Sequence, residues 1–352
     1  MTITPIPAVK RSSRWTVPSI SYLIVIALSV GVTSTLISIS GHSPLEVWGV
    51  IIAGGFGDLV RFGLSLNLAA VFLFSSLGLI FAFKSGLWNI GSEGQIFMGA
   101  LGTVLVGIFI TGIPKPLHLI LVFLAGFVFG GIWGAVPGIL KVKYKANEII
   151  TTLMMNFIAI WFITYLVDGP LQDPLAYLPA SEKIVTSARL PIILPETAAH
   201  AGILLAIVLT IVVWLVLRNT VFGYRIKAMG VNPDAAAYGG ISVGKLNIIA
   251  MTLSGGLAGL AGMGQVSGAL HLLADYVSYG YGFLAIAVAF VARLNPIAVV
   301  LVSILLGGLL RGGRFAEITV GVDMSVIQTL APLLMLFLIL VPSIEKRVSR
   351  IL

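Results

Sequence analysis

Stretches of nearly pure hydrocarbon recur along the chain, at about 18–39, 66–83, 93–113, 117–140, 149–167, 199–217, 246–266, 281–292, 296–311 and 324–342. A helix needs about 20 apolar residues to cross a bilayer core, and backbone polar groups inside lipid must be satisfied within their own segment. The expected fold is therefore all-α: a polytopic membrane protein of about ten transmembrane helices, with the eighth and ninth segments short. Hydrophobic residues fill 58% of the 352 positions and charged residues only 10%. That composition leaves no room for a globular domain beside the spans, so residues 1–352 are expected to form a single transmembrane domain.

Charge orients such a chain, because Lys and Arg collect on the cytoplasmic side. Lys10, Arg11 and Arg14 precede the first apolar run, which lacks an A-x-A-like cleavage site and is expected to be retained as a span. With the N-terminus inside, ten crossings place Lys141, Lys143 and Lys145, the 218–245 loop, and Lys346, Arg347 and Arg350 all in the cytoplasm. Arg311 and Arg314 fall outside as a local exception near Glu317 and Asp323. The net charge of +8 thus sits at span ends, and no nucleic-acid partner is implied. The longest external loop, about 168–198, carries six charged residues and five prolines. It suits either an extracytoplasmic partner or plain solvent.

Several chemistries are excluded. The chain has no cysteine, hence no disulfide, thiol catalysis or Cys-ligated metal. Its four histidines, at 42, 118, 200 and 271, are scattered and fit packing or interfacial roles. Gly239-x-x-x-x-Gly244-Lys245 matches most of a P-loop, but Leu246 stands where Mg²⁺ needs a hydroxyl and an apolar span follows. No ATP or Mg²⁺ site is expected on this chain, and no other cofactor.

The 218–245 loop reads RNTVFGYRIKAMGVNPDAAAYGGISVGK between two hydrocarbon spans. Asn232 is placed to cap, Pro233 suits the first helical position, and Asp234 suits the positive end of the dipole. Ala235, Ala236 and Ala237 continue the helix, and Gly239 and Gly240 end it. About two turns of helix are too short to persist without a partner surface. Elsewhere, Gly126, Gly130, Gly134 and Gly138 in the fourth segment, and Gly255, Gly259 and Gly262 in the seventh, are small-xxx-small packing signals.

Ten spans divide as five plus five, which permits two similar halves of opposite sense. Gly86 to Gln95 interrupts the first half, and Gln265 to Gly282 the second. Glycine-interrupted segments in corresponding positions point to a transport site, since unwound backbone is tolerated at membrane depth only where it is buried in protein or lines a cavity. Ordinary surface turns are the alternative. Around these breaks Trp88, Asn89, Glu93, Gln95, Asn156 and Phe157 combine flat rings with amides and a carboxylate, as a pathway for an aromatic, hydrogen-bonding solute requires. Glu93 equally suits a capping role at a helix start, and Asn156 equally suits helix–helix hydrogen bonding.

The order T-x-x-G-Y-R-I-K-A-x-G-x-N-P-x-A-A-x-x-x-G-I, Thr220 to Ile241, resembles the cytoplasmic coupling segment of permease subunits of ATP-binding-cassette importers serving ribose-type sugars, branched-chain amino acids and nucleosides. G-L-W-N-I-G-S-E-G-Q-I at 86–96 is similar to the N-I-G-x-E-G-Q signature of permeases for nucleosides or simple sugars. N-E-I-I-T-T-L-M-M-N-F-I-A at 147–159 resembles a run of the same subfamily. The resemblance implies a separate ATPase, carrying ATP and Mg²⁺, docking on Tyr224, Arg225, Lys227, Asn232, Asp234, Ala235, Ala236 and Gly240. It also implies a second permease subunit, an extracytoplasmic substrate-binding lipoprotein, and a place in the inner membrane among its lipids. The ribose-type G-G-x-D-L-S-V-G sequence is absent, which favours nucleosides over simple sugars or branched-chain amino acids. An ion-coupled secondary transporter would be expected to place paired carboxylates or histidines within its spans, and this chain has few.

Overall fold

A helix forms within each of the ten apolar segments in the computed structural model, which describes residues 16–194, 196–338 and 341. The order is α1 (Thr16–Ile39), α2 (Pro44–Phe56), α3 (Leu59–Lys84), α4 (Ser92–Phe109), α5 (Lys115–Tyr144), α6 (Glu148–Asp168), α7 (Gly202–Asn219), α8 (Val221–Val231), α9 (Pro233–Tyr238), α10 (Val243–Met263), α11 (Tyr281–Val291), α12 (Pro296–Val320), α13 (Met324–Gln328) and α14 (Leu330–Leu338). Among the described residues, seven helices are long and apolar enough to cross a membrane: α3, α4, α5, α6, α7, α12, and α10 with its π-helical extension Gly264–Leu270. An eighth crossing arises if α1 and α2, bent by 113° at their junction, count as one broken span. α11 has only 11 residues, roughly 16 Å at 1.5 Å per residue, about half a bilayer core. The last apolar segment is broken at Thr329 between α13 and α14. The N-terminal cluster Lys10, Arg11 and Arg14 and the C-terminal cluster Lys346, Arg347 and Arg350 lie outside the described residues.

Burial separates a central from a peripheral set. In α3, α4 and α10, 83%, 78% and 72% of the most apolar window is buried, against 28%, 22% and 33% in α5, α6 and α7. The peripheral helices are apolar on their outward faces as well, which suits lipid rather than water. The glycine stripes do what their spacing predicts. An added Cβ at Gly130 would meet the Gly255 carbonyl and the Gly259 Cα, and one at Gly134 the Met251 carbonyl and the Gly255 Cα. α5 and α10 therefore touch backbone to backbone. Gly99 does the same on α4 against Gly259, so α10 is gripped on two sides.

One end of the bundle holds the α8–α9 segment, the α3–α4 junction (Gly86 against Gly230) and the Lys141–Glu148 ion pair joining α5 to α6. The opposite end holds the 169–201 loop. That loop is tied down: the Ser181 N–H donates to the Leu273 carbonyl at 2.8 Å, Ile184 N–H to His271 at 2.9 Å, and Leu190 N–H to Ser267 at 2.8 Å. Asn67 on α3 joins it, donating to the Ala198 carbonyl at 2.7 Å and accepting from the His200 N–H at 3.0 Å.

Candidate functional site

The two interrupted segments meet. Glu93 in the first turn of α4 is buried, and its carboxylate accepts the Gly280 N–H at 2.9 Å and the Gly282 N–H at 2.7 Å. Those donors lie at the start of α11, so Glu93 caps a helix 187 residues away in sequence, and not its own. Gly282 has no alternative: an added Cβ would strike the backbone of Ser92 and Glu93. Gly280 sits at φ +80°, where side chains are strained.

Backbone at 87–91 leaves the helix, and each freed polar group there needs a partner. Side chains of α6 and of the break itself supply several of them. Thr152 accepts the Ile90 N–H at 3.1 Å, and Asn156 donates to the Ile90 carbonyl and accepts the Gly94 N–H, both at 2.8 Å. Asn89 accepts the Gly91 N–H at 2.9 Å and donates to Ser254 on α10 at 2.8 Å, while Asn89 and Gln95 exchange hydrogen bonds at 3.1 and 3.2 Å. Asn89, Gln95 and Asn156 are thus buried and occupied with holding the break in shape. Trp88 is different. It is 49% exposed and lies against Phe83 and Phe290, with ring centroids 5.7 and 5.9 Å away. Phe157 is 50% exposed on the outward face of α6, with Met154, Ile158 and Trp161.

Beside this junction lies a cavity of about 270 Å³, lined by Tyr279, Tyr281, Arg311, Arg314 and Gln328, with Leu68, Leu310 and Met324. Its tyrosines flank Gly280, so the Glu93 bonds hold them. Tyr279 packs edge-on to Tyr281 at 6.0 Å, and Tyr281 edge-on to Phe72 at 5.7 Å. Arg314 pairs with Glu317, whereas Arg311 makes no ion pair among the described residues. These lining residues escape motif reasoning, but one signal marks them: the Arg311–Arg314 exception to the charge rule. α12 runs to Val320, so the arginines stand on a helix wall and not in a loop. Arg311 is fifteen residues beyond Pro296, roughly 22 Å from the α8–α9 end at 1.5 Å per residue.

At that end, Asn232 caps α9 as its sequence foretells, its side-chain oxygen accepting the Asp234 and Ala235 N–H groups at 3.0 Å. A longer helix, α8, precedes it and carries Tyr224, Arg225 and Lys227. Ala236 is buried against the protein's own interior, whereas Asp234, Ala235 and Gly240 are exposed. The surface turned outward includes Val221, Tyr224, Val231 and Tyr238, the last 94% exposed: apolar and aromatic side chains that a water-facing segment gains nothing by displaying. At the opposite end, His200 and His271 approach each other. His200 is buried and accepts the Gly202 N–H on Nδ1 at 3.1 Å; burial first, and then His271, hold its pKa down to about 4.

A family described as the branched-chain amino acid transport system / permease component matches residues 62–341. The chain is 34% identical to the guanosine ABC transporter permease protein NupP of Bacillus subtilis, over 94% of both chains. It is 31% identical to a glucose ABC transporter permease protein of Haloferax volcanii, over 84% of this chain and 80% of that one. A nucleoside ABC transporter permease protein of Lactococcus lactis is 28% identical, over 77% of each. No solved structure matches.

Proposed function

The chain belongs to the branched-chain amino acid transport system / permease component family and is a multi-pass membrane transport subunit, not an enzyme; from that premise we propose that its cargo is a nucleoside. One observation carries the choice of cargo: the cavity beside the Glu93 junction presents two tyrosine rings, an arginine in no ion pair among the described residues, and a glutamine. A nucleobase stacks on tyrosine and is read by amide and guanidinium donors, and ribose hydroxyls accept from the same groups. The volume suits one small solute, near the low end of the roughly 300–1,000 Å³ usual for such pockets. The guanosine relative, matched over 94% of both chains, supports this cargo; the glucose relative keeps simple sugars as the second reading.

The rest of the system follows. The chain lies in the inner membrane as ten crossings in two inverted sets of five, both termini cytoplasmic, with α11 as a half-crossing. An ATPase holding ATP and Mg²⁺ docks on the α8–α9 surface, a second permease completes the pathway, and a substrate-binding lipoprotein lands on the 169–201 loop, where Leu175, Tyr177 and Leu178 stand exposed. No cofactor resides on this chain. Trp88, with Asn89, Glu93, Gln95 and Asn156, borders the route from the cavity toward the cytoplasm, whereas Phe157, on the outward face of α6, stands apart from it. Uptake of labelled guanosine by cells expressing the whole system is the test. It should saturate and be competed by uridine and adenosine, but not by ribose, glucose or leucine; competition by glucose or leucine alone would reassign the cargo.

A further inference from the structure

A second cavity, of about 290 Å³, opens at the α8–α9 end of the bundle, and four cationic residues line it: Lys84 at the end of α3, Arg218 at the end of α7, Lys227 on α8 and Arg293 in the α11–α12 turn. None of its lining residues is acidic, and Lys84, Arg218 and Lys227 take part in none of the three ion pairs among the described residues. Asn295 also lines it and caps α12, accepting the Ile297 N–H at 3.0 Å, so the positive end of a 25-residue helix borders the same space. Arg293 and Leu294 reach the cavity from left-handed backbone, at φ 53° and 54°. Lys84, Arg218 and Lys227 in one opening with no acidic residue in its lining call for an anion.

The shape of the surroundings says which kind. Arg218 lies over the Trp214 ring, 4.9 Å from its centroid. Val208, Ile211 and Leu215 stand exposed at spacings of three and four residues leading to Arg218, so one apolar stripe of α7 runs straight into the cationic opening. Tryptophan and arginine at the end of a lipid-facing helix mark the depth of lipid headgroups. We propose that this cavity binds the phosphate headgroup of an anionic phospholipid whose acyl chains lie along α7. Lys227 belongs to α8, so the bound lipid bridges the membrane helices to the segment on which, by the proposal above, the ATPase acts. The lipid site itself is independent of the cargo.

The permease complex, delipidated and placed in nanodiscs of phosphatidylcholine with or without phosphatidylglycerol, tests this by native mass spectrometry of retained lipid. The wild type should retain phosphatidylglycerol in preference to phosphatidylcholine, with inorganic phosphate a poor competitor. The double variant Lys84→Gln/Arg218→Gln should weaken retention roughly 30-fold, the factor expected of two cationic side chains acting on an anionic headgroup, and Arg218→Gln alone roughly fivefold if the double variant does not fold. Lys145→Gln, outside the cavity, should change nothing. Equal retention of the two lipids overturns the proposal. So does full displacement by inorganic phosphate, which would make this a site for a soluble phosphate. Loss of the ATPase from the double variant with unaltered lipid retention also overturns it, in favour of an acidic residue of the ATPase as the anion.

Discussion

Replacing Glu93 by Gln preserves the shape of the junction and removes one acceptor. The carboxylate serves two donors, the Gly280 N–H at 2.9 Å and the Gly282 N–H at 2.7 Å. Glutamine serves one and turns an NH₂ toward the other. A hydrogen bond to a charged group contributes about 1.5–3 kcal/mol, and a buried N–H left without an acceptor costs about 1–3 kcal/mol. Relief by small shifts is limited, because Gly282 is pressed against the Ser92–Glu93 backbone. The two effects overlap, so the expected loss is about 3 kcal/mol. At roughly 2 °C per kcal/mol, the lower figure for larger domains, the melting temperature should fall by about 6 °C. Tyr279 and Tyr281 hang from the same bonds, so uptake should fall at temperatures where the variant is still folded. Fluorescence-detected unfolding in detergent and nucleoside uptake by cells, measured on the same variant, give both numbers. A Glu93→Gln protein that melts and transports like the wild type would refute the idea that this carboxylate ties the two breaks together.

Gly259→Ala adds a methyl where the Gly126 carbonyl stands, and overpacking of that kind costs about 1–3 kcal/mol or more; size-exclusion profiles should show poor assembly, while Gly31→Ala, in open space, should be neutral. His200 is neutral in the fold with its pKa near 4, below the ordinary 6.5, so its contribution is full above pH 6.5 and is lost as pH falls toward 4. A pKa of about 4 in place of the ordinary 6.5 corresponds to a loss on the order of 3 kcal/mol, seen as a melting temperature that drops across that window and is flatter in His200→Gln. Tyr238→Glu or Ala235→Glu should abolish co-purification of the ATPase without changing the permease's melting, whereas Ala236→Glu, buried in the permease, should destabilise the permease itself. Tyr281→Ala and Arg311→Gln should each raise the uptake KM for guanosine more than they lower expression; unchanged KM in both would remove the cavity from the pathway.

Periodicity and caps were legible because they are local. The glycine stripes at 126–138 and 255–262 announce close packing by spacing alone, and Asn232-Pro233-Asp234 announces a helix start, because the responsible bonds span two to four residues. α8 was hidden in the same loop, since Val221–Val231 has two glycines and no strong apolar rhythm, and it is held by packing against α7 and α3. The inward turn of Ala236 was equally hidden. An alanine triplet on a six-residue helix looks the same from every side, and only the neighbouring core decides which methyl is buried.

Lipid makes one long-range feature more inferable than it would be in water. A non-helical stretch at membrane depth needs acceptors and donors, and apolar spans offer almost none. The few polar side chains within the chain's spans must therefore gather wherever the backbone breaks. Asn89, Gln95, Thr152, Asn156 and Ser254 do so around 87–94, and Glu93 does so for the break that ends at Gly280 to Gly282. Two breaks in one bundle that compete for a handful of partners are driven toward sharing them, so Glu93 serves one segment while standing in the other. By the same economy, a polar side chain that the breaks do not consume is free for other work. Arg311, on an apolar helix and in no ion pair among the described residues, and Trp88, half exposed at the edge of the break, are such residues, and Arg311 lines the cavity beside the Glu93 junction.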